Sequence, residues 1–191
     1  MTARLARALV LVATFLAVLA AFQPATAADA IEARSVRIER SAGGDGWELS
    51  ADFHLPLPDR LEEAVNRGVA LYFVLEFELV RPRWYWWDEI AASASQTWRL
   101  GYHALTQQYR LTQGGGFAQA FGSLGEALQT LSRVRGWQVI GAGEASPGSE
   151  YQARVRMRLD ASMLPKPFQV TAITNRDWNL QAEWTRLRFV P

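Results

Sequence analysis

The 191 residues hold 20 basic and 19 acidic side chains, a net of +1, too balanced for the basic footprint of a nucleic-acid or anionic-membrane binder. No cysteine is present, which excludes disulfides, a lipid-bearing cysteine and thiolate metal sites. The basic residues are nineteen arginines and a single lysine, Lys166, a bias that genome composition explains and that also suits pairing with carboxylates and stacking on rings.

The chain opens like an export signal. Arg4 and Arg7 precede an uncharged run from Ala8 to Ala21, and Ala25-Thr26-Ala27 is a small-x-small cleavage site. That run is fourteen residues, short of the about 20 a membrane-spanning helix needs. Cleavage after Ala27 is expected to release a periplasmic protein with no stable membrane insertion, a single domain over 28–191. An N-terminally membrane-anchored form is the alternative.

Val36 and Ile38 alternate with Arg37 and Glu39 as in a half-buried strand, and Gly43-Gly44-Asp45-Gly46 is a hairpin signal. The returning strand has Trp47, Leu49, Ala51, Phe53 and Leu55 on one face and His54 on the solvent side. Asp59, Glu62 and Gly68 mark a short helix, with Asp59 as its cap. A long strand from Val69 to Val80 then points Leu71, Phe73, Leu75, Phe77 and Leu79 inward and Glu76 and Glu78 outward.

Pro82 ends that strand ahead of the densest chemistry in the chain, Arg83-Trp84-Tyr85-Trp86-Trp87-Asp88-Glu89. As a strand this segment is aromatic on both faces, and packing into the core is the default reading. A platform for a protein partner and a stacking surface for envelope sugars are the alternatives. Ile90 to Thr97 is small and polar and reads as a loop. Trp98, Leu100 and Tyr102 alternate, and a change of phase before Leu105, Tyr109 and Leu111 predicts a bulge or tight turn near His103.

Gly114 to Gly116 reads as a hinge into a helix from Ser123 to Arg135, capped by Ser123 and Glu126 and ended by Gly136. A short strand from Trp137 to Ile140 leads into a mobile small-residue loop over 141–149. Tyr151, Ala153, Val155, Met157 and Leu159 then face in, while Arg154, Arg156 and Arg158 form a row on the other face. Such a row needs acids, either Glu76 and Glu78 on a neighbouring strand or an anionic partner. Leu164-Pro165-Lys166-Pro167-Phe168 reads as extended, Asn175-Arg176-Asp177 as a turn and Trp178 to Val190 as the closing strand.

Three strings together resemble the DUF4390 family: Arg83 to Asp88, Tyr102 to Tyr109 with Leu105-Thr106, and Arg158-Leu159-Asp160 followed by Leu164 to Gln169. The resemblance implies an exported proteobacterial protein from a family defined by sequence rather than by an activity, with a membrane sensor kinase of the nitrogen-regulation type as a partner.

No catalytic signature stands out. The two histidines are 49 positions apart, Gly122-Ser123-Leu124-Gly125 is a helix cap rather than a nucleophile elbow, and no cofactor is expected. A carboxylate pair of Asp88 or Glu89 with Asp160 would suit glycan hydrolysis if the two acids flank one bond. The expectation is therefore a mainly β (α+β) domain, an antiparallel sheet or β-sandwich with two helices packed on it. Its expected role is a non-enzymatic binding or protein-interaction module in the envelope, with a glycan-binding protein or glycan hydrolase as the competing class. The binding residues would be Arg83, Trp84, Tyr85, Trp86, Trp87, Asp88, Arg154, Arg156, Arg158 and Lys166.

Overall fold

A computed structural model describes residues 30–83, 85, 87–175 and 178–191. The expected export signal and its Ala27 cleavage site lie outside the described residues, as do Trp84, Trp86, Arg176 and Asp177. No helix among the described residues is long and apolar enough to cross a membrane.

Among the described residues, nine strands form two antiparallel sheets. The smaller joins β1 (Glu32–Arg40), β2 (Gly46–His54) and β7 (Arg133–Gly141) in the order β1-β2-β7. The larger joins β3 (Leu71–Arg81), β4 (Glu89–His103), β5 (Gln108–Gln113), β6 (Ala118–Phe121), β8 (Tyr151–Leu159) and β9 (Thr185–Phe189), in the order β6-β5-β4-β3-β8-β9. Three α-helices among the described residues accompany them: α1 (Asp59–Asn66), α2 (Leu124–Leu131) and α3 (Lys166–Thr174).

The period-two pattern accounts for the core. Leu71, Phe73, Leu75, Phe77 and Leu79 of β3 are each no more than 1% exposed. They share one apolar cluster with Leu49, Ala51 and Phe53 of β2 and with Tyr151 to Leu159 of β8, so both sheets bury their inner faces in common. Each buried Leu or Phe contributes about 1.5–3 kcal/mol by leaving water, which fixes the register of the central strands. The Gly43–Gly46 turn joins β1 to β2 as expected, and the phase change near His103 is a hairpin turn with Gln107 at φ 51°. Gly46 is required where it stands: at φ 144°, a Cβ there would overlap the Ile140 carbonyl oxygen of β7.

Several local expectations are corrected. The segment from Ile90 to Thr97 is not a loop but the first half of β4, paired with β3 from Arg81↔Glu89 to Leu71↔Leu100. Its alanines and serines are poor strand formers alone, and the ladder to a buried neighbour overrides that propensity. The second helix ends at Leu131 rather than Arg135, and Val134, which fits a helical face equally well, is a buried residue of β7. Gly136 does not end a helix but sits in β7 at φ 59°. Gly114 to Gly116 turn β5 into β6 instead of hinging into the helix.

Asp59 is the first residue of α1 and not its cap, a position held by Pro58. The proline-rich run expected to be extended starts α3, because Pro167 falls in the first turn, where a missing N–H costs nothing. Only Thr185–Phe189 of the expected closing strand is strand. Upstream, Trp178, Leu180 and Ala182 are buried, and Leu180 and Ala182 bond β8 through Leu159 N–H to Leu180 O (2.7 Å) and Ala182 N–H to Met157 O (2.8 Å).

Candidate functional site

The sequence-predicted residues fall into two regions. The first is the outer face of the large sheet. Antiparallel pairing of β3 with β8 sets Glu76 opposite Arg156 and Glu78 opposite Arg154. Arg154 Nε donates to Glu78 at 2.6 Å, Arg156 Nε to one Glu76 oxygen at 2.5 Å and Arg158 Nε to the other at 3.0 Å. Arg158 also lies 3.6 Å from Asp160. These side chains are 19–29% exposed, so the pairs are partly shielded from solvent.

A tryptophan completes this lattice. The Trp184 ring lies 4.4 Å from the Arg156 guanidinium and 5.5 Å from that of Arg154, close enough for cation–π attraction to both. A surface hollow of about 520 Å³ opens beside Trp184, Arg156 and Arg186. Trp184 was missed by sequence reasoning. Its signal was a second change of phase: Trp178, Leu180 and Ala182 are buried at even positions and Phe189 at an odd one, so the chain must shift between them.

Asp160 follows directly on β8 at the edge of this face. Desolvation pushes its carboxyl up, but hydrogen bonds from the Ser162 hydroxyl (2.6 Å) and backbone N–H (3.1 Å), with the nearby Arg158 charge, outweigh that and hold it below the usual value. Lys166, at the start of α3, is exposed and is not brought into the arginine row.

The second region is the connection between β3 and β4. Of the aromatic stretch, the two described rings, Tyr85 and Trp87, are not in a core strand. Tyr85 lies in a turn and is 65% exposed, and Trp87 lies outside any strand and is 84% exposed. Ile90, the second residue of β4, is 54% exposed. Arg83 pairs with Glu89 across the turn, and the Arg83 N–H points to the Asp88 carboxylate at 3.5 Å. Pro82 ends the β3 ladder and Arg81↔Glu89 is its last pair, so the described residues beyond it, Arg83, Tyr85, Trp87 and Asp88, lie at a hairpin tip.

The base of that tip is fixed. Arg81 donates to the Ser149 hydroxyl at 3.0 Å and to the Tyr151 hydroxyl at 3.3 Å, with its guanidinium 5.2 Å from the Tyr151 ring. Tyr151 in turn accepts the Ser146 N–H at 3.0 Å, which with the Arg81 charge holds its hydroxyl below the usual phenol value. The loop over 141–149, read as mobile, is thus tied down, with further bonds from Gly141 N–H to Glu144 and Gly148 N–H to Pro191.

The two regions do not form one site, and the carboxylate pair is separated with them. Asp160 bonds Tyr72 at one end of β3, while Glu89 faces Arg81 at the other. At about 3.3 Å per residue the two acids are about 30 Å apart and cannot flank one glycosidic bond.

No curated protein and no solved structure matches the chain. One family profile does, described as a domain of unknown function (DUF4390), over residues 28–188. The match takes in both sheets, the arginine lattice and the hairpin tip, and the chain belongs to the DUF4390 family.

Proposed function

We propose that this chain is an exported, non-enzymatic protein-interaction module of the bacterial envelope that docks through the tip of the β3–β4 hairpin. The observation that carries this reading is the exposure of Trp87 (84%) and Tyr85 (65%) on a hairpin whose base is anchored by Arg81. Keeping a ring of that size in water forgoes about 2–3 kcal/mol of burial, and Trp, Tyr and Arg are the residues that dominate interface energetics. The arginine row is the weaker candidate, because Glu76 and Glu78 already engage it. The Ala25-Thr26-Ala27 motif supports export, and a membrane sensor kinase is the kind of partner the family resemblance suggests.

The test is affinity capture of envelope proteins with the full chain and with a Tyr85→Ala, Trp87→Ala variant. A membrane partner retained by the wild type and lost by an equally stable variant is the expected result. Identical partners for both would remove the tip as the docking surface. Peptidoglycan fragments bound only by the wild type would replace the protein partner with a glycan.

A further inference from the structure

We infer that the chain pairs with a second copy of itself along the open half of β4. β5 pairs with β4 only from Trp98 to His103, so among the described residues Glu89 to Gln96 is hydrogen-bonded to β3 on one side and to no strand on the other. The 2.7 Å bond from Gly114 N–H to the Thr97 carbonyl shows that Thr97 turns its peptide groups to the β5 side. By strand alternation Ser95 and Ser93 turn theirs the same way, into the open notch, and both residues are exposed.

This edge lacks the charged side chains that the other long edges carry. β1 bears Arg34, Arg37 and Glu39, β7 bears Arg133 and Arg135, β9 bears Arg186 and Arg188, and β6 is only four residues long. Charges and short length are how edge strands avoid pairing. Ile90 to Thr97 has neither charge nor proline, and beyond a bulge near Ala91 it pairs regularly.

The two ends of the notch differ, and the difference selects the occupant. One end carries Tyr85, Trp87 and Asp88; the other carries Arg99 and, on the β5–β6 turn, Phe117, which is 99% exposed. Arg99 makes no ion pair among the described residues. Antiparallel pairing about a two-fold axis near Ser93 brings each Asp88 toward the Arg99 of the copy. A parallel arrangement would set like ends together. The edge is thus complementary to itself, the requirement for a closed two-fold interface. This inference rests on the docking role of the hairpin tip and names a second copy as what lies along its β4 flank.

Sedimentation of the purified full chain at micromolar concentration is expected to give a dimer. A Ser93→Lys, Ser95→Lys variant places like charges across the axis and should weaken dimerisation at least about tenfold without lowering the melting temperature. In this cysteine-free chain, Ser93→Cys should form an intermolecular disulfide under mild oxidation, because paired Cα atoms across such a ladder are about 5.5 Å apart. Ala42→Cys, on the β1–β2 turn, should not. A monomeric wild type, or a dimer indifferent to both lysines, would overturn the inference. If that monomer still needed Tyr85 and Trp87 to capture envelope proteins, self-pairing would fall and the docking surface would stand.

Discussion

The outer face of β3 and β8 and the β3–β4 tip are built from the same residue types, arginine, tryptophan and acid, and they end in opposite states. On the sheet, Glu76 serves two arginines and Trp184 lies close to two guanidiniums, so charge and ring are engaged within the chain. At the tip, Arg83 and Glu89 engage each other while Trp87 faces water. A cluster of arginine and tryptophan therefore marks a binding surface only where the fold leaves it unmatched.

The most severe way to break the comparison is Glu76→Gln. It leaves Arg156 and Arg158, each under 30% exposed, without their shared carboxylate, and a loss of about 2 kcal/mol is expected by urea unfolding. Trp184→Ala comes next, at about 1–2 kcal/mol from two cation–π contacts and the packing of a half-buried ring.

Smaller still is the pH dependence of Asp160. Its folded pKa lies below the unfolded value of about 3.9, so its contribution is complete above that pH and is lost as the pH falls through the folded value. Asp160→Asn should flatten the stability profile below about pH 4, as read by thermal unfolding from pH 6 to pH 2.5. The smallest effect on stability belongs to Trp87→Ala, within about 0.5 kcal/mol by the same urea measurement. A large loss there would mean that the ring is packed after all, and would erase the contrast between the two regions.

The sequence made the central strands legible because alternation of large apolar and charged residues has a single interpretation when one face is buried. β8 follows it at every position and β3 at all but Val74 and Val80, which are buried on the other face, and the arginine row opposite Glu76 and Glu78 follows from it. Ile90 to Thr97 escaped because alanine, serine and threonine give alternation almost no amplitude. The start of β7 escaped because Val134 satisfies helix and strand alike. Trp184 escaped because its partners lie 28 and 30 residues away and the chain between them crosses a helix. The tip was found by composition, but its exposure depends on where the β3 ladder stops, which no local pattern states.

The position of Glu76 also bears on when the native state closes. Its carboxylate waits for Arg156, 80 residues downstream, so the β3–β8 ladder cannot form until nearly the whole chain is free to fold. Pairings of that separation are slow, and interactions made after the rate-limiting step act on the unfolding rate. The lattice should then work as a late latch, setting how long a folded molecule persists and leaving the speed of folding to the β3–β4 hairpin.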